Sequence, residues 1–278
     1  MMENNWENFL KNLGEWHGSF TSVSLAGELL DSTPSILTLE GLENNQLVRF
    51  RLRRFGPGGA SQPPISDYSQ EYRSLGKQVI FFATGAFSKG SLQLAPFSEF
   101  GAEYGFVTDH RRLRFVQLYD RQNTLSSLIL IREFRQGTDA HERPPLTVEQ
   151  LLGRWEGVAC TAYADWQPSE TYATTLVIQE KGDGYLEQHL CFGDRVITST
   201  ARIAGNTLSV EEGASPRRIL LLPDGTSSNT PLQLKLRQPF FVELGWLVTD
   251  NQRQRLIRSY DENGTWVSAT HVIEHRVS

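Results

Sequence analysis

One phrase occurs twice in this chain, and it limits the architecture more than any other feature. Val107 to Asp120 reads VTDHRRLRFVQLYD, and Val248 to Asp261 reads VTDNQRQRLIRSYD. Val, Thr, Asp, two Arg, Tyr and Asp recur in place. The match runs without a gap to Arg135 and Arg276, setting Thr124 on Thr265, Ser127 on Ser268 and Glu133 on Glu274. Upstream, Leu92-Gln93-Leu94 repeats as Leu232-Gln233-Leu234, and Glu103 and Gly105 as Glu243 and Gly245. A length of 278 residues suits two ordinary domains, since single cores stop growing efficiently near this size. The repeat places them at 1–138 and 146–278, joined by a linker at 139–145 within the polar, Gly/Pro-marked run Arg135–Pro145.

Both halves open alike. Asn4-x-x-Glu7 and Thr147-x-x-Gln150 have capping-box form, which predicts a short helix at the start of each half. Trp6, Phe9, Leu10 and Leu13 continue the first at helical spacing; Val148, Leu151 and Leu152 continue the second. Each helix runs into Gly-x-Trp, at Gly14–Trp16 and Gly153–Trp155. Beyond that point the chain is a series of short alternating or β-rich runs divided by turn clusters, about eight to ten strands per half. No long amphipathic helices lie between them, so an antiparallel meander is expected, and closure into a barrel would remove its sticky edges. The repeated phrase is then the next-to-last strand of each barrel, ending in the turns Asp120–Asn123 and Asp261–Gly264. The halves are expected to pack through the linker region.

Composition excludes some functions. Hydrophobic content of 39% and charged content of 21% fit a globular chain, and no run approaches the about 20 apolar residues of a membrane span. A net charge of −5, from 27 basic and 32 acidic residues, argues against nucleic acid as partner. Met1 to Trp6 lacks a secretory pattern, which places the protein in the cytoplasm and makes Cys160 and Cys191 core thiols and candidate cross-strand neighbours. There is no CxxC, GxSxG, P-loop or HExxH, and the carboxylates Glu211-Glu212 and Glu40/Glu43 stand in no catalytic motif. His271 and His275 would lie about 13 Å apart along a strand, too far to share an ion. The reading is a non-enzymatic protein without metal or cofactor.

A short helix, Gly-x-Trp on the first strand and a meander ending in an Arg-bearing hairpin resemble the lipocalin (calycin) superfamily, twice over. The resemblance implies two tandem lipocalin-like antiparallel β-barrels, with Trp16 and Trp155 packed across the closed ends under a late Arg, for which Arg114 and Arg255 are the candidates. With the two-copy plan, Arg258-Ser259-Tyr260 and Glu274-His275-Arg276 are similar to a tandem two-barrel family of unknown function from cyanobacteria and chloroplasts. Relatives of that family include a factor for chloroplast ATP synthase biogenesis. Its implied partners are ATP synthase subunits or other photosynthetic proteins. S-type phycobiliprotein lyases are also similar, but GEWHGSFTSV and GRWEGVACTAY depart from their pattern of an Arg and a His soon after the first-strand Trp.

Alternation supplies the candidate sites. Arg112, Arg114, Val116 and Leu118 share one strand face, as do Arg253, Arg255, Ile257 and Ser259; Gln254, Leu256, Arg258 and Tyr260 share the other. Arg258, where the first copy has Gln117, is expected to point with Tyr260 into the second barrel and meet a ligand carboxylate. Phe240 and Trp246 are further candidates for a small apolar or tetrapyrrole ligand. Arg49, Arg51 and Arg53, on one side of a strand, are a candidate docking surface for an acidic partner. Glu133/Arg135 and Glu274/Arg276 are expected as exposed ion pairs. Phe20, Phe81, Phe82, Phe87, Tyr163, Trp166, Tyr172 and Phe192 are expected to fill barrel cores.

Overall fold

A computed structural model describes residues 5–165, 167–211 and 216–277. Asn4, Trp166 and Glu212 lie outside the described residues. The first half begins with helix α1 (Asn5–Leu10) and continues as β1 (Gly14–Val23), β2 (Leu29–Leu42), β3 (Leu47–Arg54), β4 (Ser66–Tyr72), β5 (Val79–Phe81), β6 (Phe87–Gly90), β7 (Phe100–Val107), β8 (Arg111–Tyr119) and β9 (Leu125–Arg135). The second half comprises β10 (Gly153–Tyr163), β11 (Glu170–Gly182), β12 (Tyr185–Phe192), β13 (Arg195–Ala204), β14 (Thr207–Val210), β15 (Arg217–Leu222), β16 (Thr226–Pro231), β17 (Phe240–Thr249), β18 (Gln252–Tyr260) and β19 (Trp266–Val277). All described pairings are antiparallel meander neighbours, and β1 pairs with β9 as β10 pairs with β19.

The architecture is the expected pair of lipocalin-like barrels with two departures. The second half is a closed ten-stranded barrel, whereas the first is a nine-stranded curled sheet whose end strands, β4 and β5, do not pair. The capping box of the second half forms, with Thr147 N–H donating to Gln150 Oε1 and Gln150 N–H to Thr147 Oγ1, but it yields one turn and no helix. Gly153 ends that turn at φ +108°, where β10 begins.

The duplicated phrase forms β8 and β18 with their turns. Asp120 Oδ1 accepts the N–H groups of Gln122 and Thr124, and Asp261 Oδ1 those of Asn263 and Thr265, so one aspartate folds each turn. Asn123 (φ 61°) and Gly264 (φ 76°) occupy the left-handed position this turn requires.

The halves meet mainly through these late strands and turns; in the linker region, Glu142 also accepts from Arg132 of the first half while Arg143 bonds Asp224, Leu247 and Asp250 of the second. Leu94 N–H donates to Gly264 O and Leu234 N–H to Asn123 O; Leu125 N–H donates to Leu232 O and Trp266 N–H to Leu92 O. Gln93 bridges Thr265, and Thr124 bridges Gln233. Each contact is the mirror of another under exchange of the copies. Between the turns, the outer faces of β7–β8 and β17–β18 form one apolar cluster in which Phe100, Tyr119, Phe240 and Tyr260 interlock edge-on and stacked, with ring centroids 4.7–5.7 Å apart. No helix is long and apolar enough to cross a membrane among the described residues.

Candidate functional site

The closed barrel encloses a cavity of about 870 Å³. Its floor is the Trp155 end: the indole is fully buried and donates to Leu151 O, as Trp16 donates to Asn12 O in the first half. The Arg over each ring is Arg135 (4.3 Å above Trp16) and Arg276 (4.7 Å above Trp155), not Arg114 or Arg255. Gly14, at φ +134°, leaves room for this arrangement, since a Cβ there would strike the Arg135 guanidinium. Gly153 repeats the conformation. The expected Glu133/Arg135 and Glu274/Arg276 ion pairs are therefore absent: their side chains point to different places.

Glu133 and Glu274 instead sit inside their halves, each facing two arginines. In the first half Glu133 accepts from Arg112 (3.0 Å) and twice from Arg114 (3.0 and 2.8 Å), while Arg114 also reaches Glu103 (3.0 Å) and Arg112 Nε donates to Asn12 Oδ1. Burial alone would raise the Glu133 carboxyl, but Arg114 and Arg112 overcome it and hold the group below its usual range. In the second half the same four positions are more widely spaced. Arg253 lies 3.3 Å from Glu274; Arg255 lies 3.2 Å from Glu243 and 3.9 Å from Glu274. Leu151 stands where the first half has Asn12, and Arg253 Nε has no hydrogen-bond partner.

The cavity exists because matched positions shrink. Phe20 and Phe87 fill the first half, with Phe20 lying under Arg54 (4.2 Å) and Arg114 (5.3 Å) and Phe87 under Arg112 (5.7 Å). Their counterparts are Ala159 and Ser227, both cavity-lining. The walls combine apolar surface from Leu176, Ile178 and Val272 with the guanidinium groups of Arg217, Arg253 and Arg255. Arg217, toward the mouth, stacks over Phe241 at 4.6 Å, and burial pushes its guanidinium down. Tyr163 donates to Glu170 there (2.6 Å), a bond that, with burial, pushes the phenol up to about 12. An apolar chamber lined by underused guanidinium groups suits an apolar molecule bearing an acidic group.

The residues singled out from alternation face the other way. Arg258, Tyr260, Trp246 and Phe240 all lie between the halves, outside the cavity. Arg258 is fully buried; its Nε donates to Tyr260 Oη (2.7 Å), it reaches the carbonyls of Gly90 and Ser91, and its guanidinium lies 4.2 Å from the Trp266 ring. Trp246 donates to Asp224 O and stacks on Phe106, and Phe240 stacks on Tyr260. The pattern separated the two faces correctly and named the wrong one as interior; Ile257 and Ser259 line the cavity instead. Arg49, Arg51 and Arg53 do share the outer face of β3, but each has a carboxylate: Arg49 with Glu40 and Glu71, Arg51 with Asp67, and Arg53 with Glu15.

Cys160 and Cys191 are half-buried free thiols opposite Thr171 and Thr175, separated by β11 and not neighbours. Among the described residues no group of His, Cys, Asp or Glu gathers as a metal site. Sequence reasoning missed Arg217 and the carboxylates Glu103 and Glu243. The size difference between copies at Phe20/Ala159 and Phe87/Ser227 was the signal that could have located the cavity.

Comparison with known proteins is consistent with this duplicated plan. The N-terminal model of a domain of unknown function, DUF3598, matches residues 2–138, and the C-terminal domain model of the biogenesis factor required for ATP synthase 1 matches 142–277. No curated protein matches. A crystal structure of a DUF3598 protein from Nostoc punctiforme is 50% identical, covering 98% of this chain and 99% of that one at a TM-score of 0.92. The S-type phycobiliprotein lyase CpeS from Guillardia theta is 13% identical over 47% of this chain and 90% of its own, with a TM-score of 0.37. By its sequence along its whole length and by its two-part fold, the chain belongs to the DUF3598 family.

Proposed function

We propose that this protein is a non-enzymatic assembly factor that acts in the cytoplasm of an oxygenic phototroph and holds a subunit of ATP synthase during its assembly. The observation that carries the reading is the match of 142–277 to the C-terminal domain of an ATP synthase biogenesis factor. The geometry is compatible with such a role: a shared apolar core joins the halves, and strand β4 of the first half stays exposed. The test is to delete the family member from a cyanobacterium, restore this chain and quantify assembled ATP synthase. Loss on deletion and recovery on complementation are expected. An unchanged enzyme level overturns the reading.

A second reading, carriage of a small apolar or tetrapyrrole ligand, is favoured by the cavity, where guanidinium groups border open apolar surface. Native mass spectrometry of protein from its own host should then show a stoichiometric acidic ligand that disappears in the Ala159→Phe/Ser227→Phe variant. That variant copies the packing of the first half. A ligand-free protein from the host, folded and monodisperse, removes this reading.

A further inference from the structure

The halves differ by one strand. In the barrel, β14 lies between β13 and β15; in the first sheet the counterparts of β13 and β15 are β4 and β5, and they form its two ends. Segment 205–216 joins β13 to β15 and contains β14, whereas segment 73–78 joins β4 to β5 directly. Helix α1 covers the β5 edge. Asn5 Nδ2 donates to Val79 O (3.0 Å), Phe81 N–H donates to Asn5 Oδ1 (2.6 Å), and Asn8 donates to Phe81 O (3.1 Å), so side-chain amides stand in for a neighbouring strand. Phe9 of the same helix meets Tyr72 at 6.1 Å and closes the gap at that end.

The β4 edge has no such cover. Ser66 to Glu71 are all exposed, and β4 pairs with β3 in unbroken register, without the proline, lysine or bulge that usually blunts an edge. Its two faces are chemically distinct. Tyr68, Gln70 and Tyr72 continue the inner face of Phe50 and Leu52, with Tyr68 half-exposed beside Phe50 at 6.2 Å. Asp67, Ser69 and Glu71 continue the outer face, so carboxylates border the edge while Arg49, Arg51 and Arg53 stand one strand behind.

We propose that β4 is a docking edge that accepts an extended segment of a partner protein as a tenth strand, in the place β14 fills in the second half. The segment alternates apolar side chains, directed inward over Tyr68 and Tyr72, with basic or hydroxyl side chains directed outward toward Asp67 and Glu71. β14 is the internal template: Leu208 and Val210 are buried inward, and Thr207 and Ser209 face out. Backbone hydrogen bonds supply affinity in this mode, and alternate side chains supply selectivity. The inference deepens the assembly reading by naming how a partner is held, and rests on it for the existence of that partner.

The test is residue-resolved amide exchange on the whole protein with a millimolar synthetic peptide copying residues 205–210 with Ser209→Lys. Exchange across Ser66–Tyr72 should slow roughly tenfold, as expected when the peptide is in about tenfold excess over Kd, with no change in β5. Ser69→Pro and Gln70→Pro then remove successive N–H groups, one facing β3 and the other facing outward. The variant that keeps the wild-type Tm should lose the peptide protection. Unchanged exchange at β4, or equal peptide protection in that variant, overturns the proposal. So does concentration-dependent protection without peptide, which would mean that two copies pair through β4. In cells, co-purification of ATP synthase subunits with the wild type but not with the stable proline variant supports it, and equal co-purification overturns it. If no subunit co-purifies with the wild type, the assembly reading fails while the peptide measurement still decides the edge.

Discussion

At the scale of single residues, the duplicated positions tell most where they diverge. Arg258 replaces Gln117, and the two side chains do the same job with different chemistry: Gln117 donates to Ser228 across the interface, while Arg258 reaches Gly90 and Ser91 and lies against Trp266. No described carboxylate pairs with Arg258, so its charge rests on carbonyls, a phenol and an indole face. Arg258→Gln should lower stability by about 1–3 kcal/mol in urea unfolding through lost hydrogen bonds and cation–π contact. His271 lies in the same interface, bonded to Gln254 and flanked by Phe82 and Phe106, and burial pushes it down to about 4. The unfolded chain binds a proton near pH 6.5, which the folded one refuses. Stability contributed by the neutral ring is therefore full above that value and should fall by about 3 kcal/mol as pH drops toward 4. Unfolding curves of His271→Gln across this window should be flatter than those of the wild type. The alternation of β18 was readable from its letters, but which face is enclosed depends on where the other half sits. Nothing local to QRQRLIRSY records that.

Among elements, the first strand of each half is the most constrained. Gly18 and Gly157 follow Gly-x-Trp at the same offset in both copies, and a Cβ at either would clash with backbone of the last strand, at Arg132 O and Ile273 O. Gly157→Ala should force β10 and β19 apart and cost about 1–3 kcal/mol, measured as a lowered midpoint at unchanged m-value. Strand number, antiparallel order and the location of the repeated phrase were legible because period-two patterning and Asx/Gly turns are local signals. The short second helix was not: its capping box is formed, but only a turn fits before Gly153 starts a strand. The buried pairing of Arg112 and Arg114 with Glu133, and of Arg253 and Arg255 with Glu274, was also hidden. A strand sequence shows Glu and Arg two residues apart, and the true partners come from the adjacent strand of the ladder. The open edge at β4 needed the closed barrel beside it for comparison.

For the whole molecule, the main cluster draws side chains from both halves, with Phe106, Phe115 and Tyr104 of the first meeting Val242, Leu244 and Trp246 of the second. Neither half can bury its outer face alone. Calorimetry should show one cooperative transition, and each half expressed by itself should bind hydrophobic dyes and aggregate. The exchange relation among the turn contacts has a further consequence. Gln93 with Thr265 and Thr124 with Gln233 are what a homodimer of single-barrel subunits would make about its axis, so the chain is in effect a covalently linked dimer of two similar but unequal units. The peptide link between them then raises local concentration without creating the interface. Residues 1–138 and 142–278 produced together as separate chains should find one another and rebuild the native assembly.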